Sequence, residues 1–380
     1  MLIFSFITVS YVLANYYFYF KLTSILHAGA PINVLLGICV FVMTLSPALI
    51  PVYSHRSSEK SLRVISYIAY LWLAFLVIFF PTGVILDLYN LIIKMGHTAI
   101  EKSLSDRMIS GEKTLFFPLL LSLIINMYGY FEAQHLCIEH LVMKTPKLPD
   151  GVHKVRVAQI SDIHLGIIVR DKLLSRIIKK VNAENPDIVV STGDLVDGTT
   201  LHINHLTEIL KNIHAPLGRY AVMGNHEIYG GPDQTAAFIE KAGFTLLRGK
   251  GLAVNGMINI AGVDFKGGET GKSTHVSSQE SEAEILSKLP DDLFTILLKH
   301  RASVDTESLG LFDLQLSGHT HKGQIFPVSL ATMFLFQFHS GFTKLPKGSA
   351  IHVSRGTGTS GPPIRFLSRP EITVIDIVSA

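Results

Sequence analysis

Seven side chains in the second half of the chain are of types that bind metal ions: Asp162, His164, Asp194, Asn225, His300, His319 and His321. Each follows a short apolar run. Ser161-Asp162-Ile163-His164 comes after VRVAQI (155–160), and Gly193-Asp194-Leu195-Val196-Asp197-Gly198 after IVVST (188–192). Gly224-Asn225-His226-Glu227 follows RYAVM (219–223), His300 follows FTILL (294–298), and Gly318-His319-Thr320-His321 follows DLQL (313–316). Two Asp, one Asn and four His make a mixed oxygen and nitrogen donor set. Such a set suits Mn, Fe, Zn or Co better than Ca or Mg, which favour all-oxygen shells. No Cys takes part, which excludes a structural zinc knot. Seven donors are too many for one tetrahedral ion. With one carboxylate shared they suit two, and a metal pair about 3.5–4 Å apart is a general device for in-line displacement at phosphorus.

Each motif taken alone has an ordinary explanation. Asp194 after Gly could be turn chemistry, Asn225 could cap a helix, and His319 and His321 could lie on the surface. Five strand ends delivering the same residue types to one rim is not required by hydrophobic patterning. The apolar runs alternate with helical spacing at 172–181, 235–242 and 278–289, and further strands are predicted at 258–263 and 372–378. Strand and helix in alternation mean an α/β domain. In such domains ligands gather beyond the carboxyl ends of strands.

The first third of the chain has another character. Of 380 residues, 48% are hydrophobic and only 17% charged, against about 25% charged in a soluble domain. Four long uncharged runs occupy 2–20, 32–53, 64–86 and 114–131. About 20 apolar residues cross a bilayer as a helix, so four transmembrane helices are predicted. The first run lacks a preceding Lys or Arg and is too long for a signal peptide, so it reads as a retained span. The spans hold no chain of ionisable residues, which argues against a transporter or channel. The predicted organisation is a membrane region at 1–131, a connector at 132–151 ending in TPKLPDG, and a polar domain at 152–380.

Arg56, Lys60, Arg63, Lys144 and Lys147 fall on one side of the bilayer; Lys21, Lys94, Lys102, Arg107 and Lys113 fall on the other. Lys154 and Arg156 tip the count slightly towards a cytoplasmic polar domain. Two Cys exclude a disulfide scaffold, and a net charge of +3 gives no reason to expect nucleic acid as a partner.

DIHLG (162–166), GDLVDG (193–198), GNHE (224–227), His300 and GHTHKGQ (318–324) resemble the five blocks of the calcineurin-like metallophosphoesterases. The ending SRGTGTSGPPIRFLSRPEITVI (354–375) is similar to that of the membrane-associated bacterial branch. The resemblance covers roughly residues 150–380. It implies a four-layer α/β/β/α sandwich of two mixed sheets. It also implies that Asp162, His164 and His321 hold one metal, that Asn225, His300 and His319 hold the other, and that Asp194 bridges them with a nucleophilic hydroxide. His226 would not ligate; it would protonate the leaving oxygen or stabilise the transition state. Two divalent transition ions (Mn, Fe or Zn) are the implied cofactors.

Three positions depart from the pattern or bear on it. Lys322 stands where the branch has Gly, and either contacts a substrate phosphate or is simply solvated. Arg301 stands where an Asn-Pro pair is usual after the His. Asp197 occupies the place of the purple acid phosphatase Tyr, so no tyrosinate-bound ferric ion is expected. His202, His205, His214, His275, His339 and His352 are not expected as ligands. Gly356–Gly361 could cradle a phosphate or make a tight turn.

The expected function is a membrane-anchored dinuclear phosphohydrolase of a bacterial inner membrane, cleaving a phosphoester or pyrophosphate. A lipid-linked substrate is attractive on location alone. The alternative is a catalytically inactive metal-binding sensor or binding module on the same fold. Substrate choice is expected to lie in the loops 199–214 and 266–280.

Overall fold

A computed structural model describes residues 2–27, 29–54, 58–100, 104–198, 200, 202–265 and 280–380. Most of the expected specificity loop 266–280, with His275, lies outside these residues, as do Arg56, Lys102 and positions 199 and 201. By internal contacts the chain divides into two units. One is 1–131 with 362–364, and the other is 132–361 with 365–380.

The first unit is helical: α1 (Leu2–Leu26), α2 (Ala30–Ser54), α3 (Glu59–Ile100) and α4 (Gly111–Ala133). Segments Ala30–Ile50, Glu59–His97 and Gly111–Ala133 are long and apolar enough to cross a membrane. Four spans were expected; α1 also forms, as an apolar helix of 25 residues, and among the described residues the other three meet the length and hydropathy of a span. Phe18 packs edge-on against Trp72, Phe75 and Phe79. No chain of ionisable residues was expected within the spans, and Asp87 was expected at the end of the third; the structure pairs it with Lys21. Lys21 Nζ lies 2.5 Å from Asp87 Oδ1 and 3.0 Å from Thr114 Oγ1, and the Tyr17 hydroxyl donates to Asp87 Oδ2 at 2.7 Å. A helix of 42 residues carries Asp87 well inside α3 rather than at its end, where opposite charge offsets part of its desolvation.

The second unit holds β1 (Cys137–Thr145), β2 (Lys154–Ile160), α5 (Asp171–Ala183), β3 (Ile188–Ser191), α6 (Leu206–Leu210), β4 (Arg219–Ala221), α7 (Asn225–Gly230) and α8 (Pro232–Lys241). There follow β5 (Thr245–Leu246), β6 (Lys250–Val254), β7 (Ile258–Val263), α9 (Glu282–Leu286), β8 (Phe294–Lys299) and β9 (Leu314–Ser317). The chain ends with α10 (Val328–Leu335), β10 (Gly341–Lys344), β11 (Ala350–Val353) and β12 (Glu371–Ser379). Two six-stranded sheets form, ordered β1-β12-β2-β3-β4-β5 and β10-β11-β9-β8-β7-β6. Both are mixed: β2, β3 and β4 run parallel while β12 opposes β2, and β8 and β9 run parallel while β10 opposes β11.

The sheets face each other across one apolar layer. Val155, Val157, Ile188 and Val190 of the first meet Ile258, Ile260, Ile296, Leu298 and Leu316 of the second. The opposite face of the first sheet, with Ala158, Ile160 and Val189, is covered by Leu174, Ile177 and Val181 of α5 and by Phe238 and Ile239 of α8. The outer face of the second, with Ala261 and Leu297, is covered by Ile285 and Leu286 of α9. This is the expected four-layer α/β/β/α sandwich. Strands buried on both faces read as continuous apolar runs, which is why β2, β3, β7, β8 and β9 were visible in sequence. The stretch expected as a connector instead contains β1, an edge strand paired in parallel with β12 from Cys137↔Glu371 to Thr145↔Ser379. The helix expected at 278–289 is the shorter α9.

Candidate metal centre

All seven expected ligands follow the carboxyl ends of β2, β3, β4, β8 and β9, in the turns after those strands or, for Asn225, at the first residue of α7, so the strands aim them at one rim. Five of them take a left-handed backbone: φ is +52° at Asp162, +54° at His164, +51° at Asp194, +73° at His319 and +49° at His321. Non-glycine residues rarely adopt it, at a cost of order 1–3 kcal/mol each, and such strain concentrates at functional sites. Close backbone approach needs glycine beside them. A Cβ on Gly224 would lie 2.2 Å from Asp194 Oδ1, and one on Gly318 2.2 Å from Asp162 Oδ2.

The donors form groups. Asp162, His164 and His321 have ligand atoms within 4.8 Å of one another, as do Asp194, His300 and His319, and also His164, Asp194 and His226. Asp194 Oδ2 stands 3.8 Å from His164 Nε2 and 3.2 Å from His300 Nε2, between the two sets. Asn225 Oδ1 lies 3.1 Å from His300 Nε2 and so joins the second set. His164 Nε2 and His321 Nε2 are 3.0 Å apart, and His319 Nδ1 and His300 Nε2 are 3.2 Å apart. Imidazole nitrogens facing each other repel through their lone pairs unless a proton or cation lies between them. With two buried carboxylates converging on them, these nitrogens fit divalent transition ions.

Several donors are held from behind. His300 Nδ1 donates to the Thr192 carbonyl at 2.8 Å. His319 N–H donates to Asp162 Oδ1 and His226 N–H to Asp194 Oδ1, both at 2.9 Å. Ser161 Oγ donates to Asp162 Oδ2. Burial drives the Asp194 carboxyl up, but His300 outweighs it, with help from His164 and His226, and holds Asp194 well below the usual carboxylate range. Burial lowers His300 too, yet Asp194 and Asp162 raise it to about 10. Burial and the His300 charge take His319 down to about 3. His321 is pushed down by burial, His164 and Arg365.

Three residues with no ligand or catalytic role in the sequence reading complete the site. Asp197 Oδ1 lies 2.9 Å from His226 Nδ1 and 3.3 Å from His164 Nδ1. Burial acts against the charged His226, and the Asp197 hydrogen bond with the Asp194 charge overcomes it, raising His226 to about 9. Glu227, fully buried, accepts from the backbone N–H groups of Asp194, Val196 and Gly224 at 2.8–2.9 Å, tying the GDLVDG and GNHE turns together. Arg365, also fully buried, donates to His321 Nδ1 at 3.1 Å and to the carbonyls of Gly358, Arg355 and Ser368. Asp197 and Glu227 sit inside quoted motifs and were findable there. Nothing local marks Arg365, which meets His321 only after the tail folds back.

Elsewhere the tail is a buttress rather than a cradle. The N–H groups of Thr357 and Gly358 donate to the Ser161 and Asp162 carbonyls. Lys322 takes φ +49° in the rim loop, a conformation suited to the branch's Gly, and its charge lies near His339. Arg301 is exposed, with its charge near His319. His352 bonds Thr373 Oγ1 and His205 bonds Asp171, both away from the donor groups.

A helix-flanked double sheet thus brings Asp, Asn and His together beyond its strand ends, in an arrangement that could hold metal ions. Residues 155–323 match the family model of the calcineurin-like phosphoesterases. A metallophosphoesterase of Aquifex aeolicus is 36% identical over 260 residues, covering 68% of this chain and 98% of its own. Another, YkuE of Bacillus subtilis, is 32% identical, covering 66% of this chain and 90% of its own. A transmembrane protein with a metallophosphoesterase domain from Danio rerio is 29% identical, covering 73% and 66%. The chain belongs to the calcineurin-like metallophosphoesterase family.

Proposed function

We propose that the chain is a membrane-anchored, metal-dependent phosphohydrolase acting on a phosphoester or pyrophosphate. The observation that carries this is the Asp194 carboxylate between His164 and His300. Asp162, His164 and His321 would hold one divalent ion and Asn225, His300 and His319 another, with Asp194 common to both; Mn, Fe and Zn all suit these donors. Such ions, when bound, lower the pKa of water and neutralise phosphate oxygens. His226 is the proton donor in this reading. Asp197 takes its Nδ1 at 2.9 Å, and Nε2 makes no hydrogen bond among the described residues, so it is free to protonate the departing oxygen. Water oxygen forms the new bond to phosphorus, the ester P–O bond breaks, and the proton ends on the leaving group. Arg301 and Lys322 supply positive charge at the rim.

Three apolar helices support anchoring in a bilayer, and the charge balance of the loops leans to a cytoplasmic site in a bacterial inner membrane. Protein purified in detergent, stripped with chelator and reloaded with Mn, is assayed on an aryl phosphodiester and monoester. Metal-dependent turnover absent from Asp194→Asn and strongly reduced in His226→Ala is expected. Equal background from all three proteins, with Mn bound, would overturn the reading on these substrates.

A further inference from the structure

α10 is apolar all round, VSLATMFL, with Ser329 and Thr332 its only polar side chains. A helix of that kind is normally buried in a core or in lipid. None of its eight residues is buried in this molecule. Phe334 is 90% exposed, Leu335 61% and Met333 59%. Leu330, Met333 and Phe334 share one face at i, i+3 and i+4. At about 12 Å long it is too short to span a bilayer, and patches of this kind mark protein or membrane contacts.

The helix is fixed to the metal centre at both ends. It starts against the GHTHKGQ loop, where a Cβ on Gly323 would lie 2.4 Å from Ser329 Cα. Its C-cap, Phe336, sets its ring edge-on to His319 at 5.5 Å. Thr332 Oγ1 lies 2.7 Å from His339 Nε2, and the His339 carbonyl accepts from Thr320 between the two rim His. The Phe265 ring also lies 5.9 Å from that of His319. The rim beside this ligand is therefore apolar, with the cations Lys322 and Arg301 near it.

We propose that α10 lies in the bilayer interface, and that the site takes an amphiphilic phosphate whose apolar part stays in the lipid. This rests on the phosphohydrolase reading for its substrate half and on the chain's apolar helices for its membrane. Lipid is the apolar phase that those helices bring to the domain, and the rim cations match an anionic headgroup. Seated there, α10 places the donor groups one aromatic side chain away from lipid.

The test uses the full chain in nanodiscs, with Phe334→Trp in a Trp72→Phe background, so that one Trp reports on α10. In phospholipid brominated near the headgroup, its fluorescence is expected to fall to about half or less of the value in unbrominated lipid. Equal fluorescence would overturn the proposal, and would leave α10 covered by protein or by water. In parallel, a long-chain and a short-chain aryl phosphodiester are compared. The native chain is expected to favour the long chain at least tenfold in kcat/KM, and Phe334→Glu to remove that preference while short-chain turnover stays within twofold. No chain-length preference would overturn the substrate half. Hydrolysis of neither ester would overturn the phosphohydrolase reading, while the quenching still decides where α10 lies.

Discussion

Asp197 holds His226 by its Nδ1 at 2.9 Å. The same Asp197 oxygen reaches His164 Nδ1 at 3.3 Å, so one carboxylate orients both the proposed proton donor and a proposed ligand. Asp197→Asn is expected to lower kcat by about 10²-fold, within the range general acid catalysis supplies. It is also expected to weaken metal binding by about tenfold, as loss of a partner behind a ligand does. Single-turnover kinetics and metal content by mass spectrometry separate the two effects. Unchanged kcat at full metal occupancy would refute the assignment to His226.

Arg365 is a buried cation whose hydrogen bonds end on three carbonyls and His321. Arg365→Met leaves those acceptors without a donor and is expected to cost about 1–3 kcal/mol. His321 would lose its support, so Mn affinity should fall by about tenfold or more. Thermal melts with and without Mn measure both. An Mn-induced rise in melting temperature equal to that of the native chain would show that Arg365 is structural only.

Lys322 takes a left-handed backbone at φ +49°. Lys322→Gly should relieve strain of order 1 kcal/mol and raise the melting midpoint with metal content unchanged. If the ammonium group meets the substrate phosphate, KM for anionic substrates rises severalfold. A KM equal to that of the native chain removes Lys322 from the substrate site.

Arg156 grips Asp376 through Nε at 2.7 Å and a terminal nitrogen at 2.9 Å, tying β2 to β12. The Arg156 hydrogen bonds hold the Asp376 carboxyl below its ordinary value, against burial, and Lys154 adds to this. A pKa lower in the folded state means that the stabilisation is complete above the ordinary carboxylate value, about 3.9, and is lost as pH falls through the folded value. At pH 7, Asp376→Asn should therefore speed hydrogen exchange in β2 and β12. The difference from the native chain should narrow as pH falls below the ordinary carboxylate value and close once it has passed the lowered folded value. A difference that persists there would point to packing rather than charge.

Much of this was legible in the order of residues, because its physics is local. Strands β2, β3, β7, β8 and β9 are buried on both faces and show as apolar runs. The ligand turns follow them directly, and glycines such as Gly224 and Gly318 mark where backbone meets carboxylate. The apolar runs that became α2, α3 and α4 follow from bilayer thickness in the same way. Other features exist only through contacts distant in sequence. β1 is an edge strand whose mixed pattern becomes meaningful once β12 pairs with it. Lys21 lies 66 residues from Asp87, and Arg365 lies 44 from His321. A buried charge reads in sequence like a surface charge until its partner is placed. α10 is the converse case: its composition predicts a core, and only the packing around it leaves the helix uncovered. The kinds of donor were therefore set by local chemistry, while their division around Asp194, and the side chains that hold them, were decided by the fold.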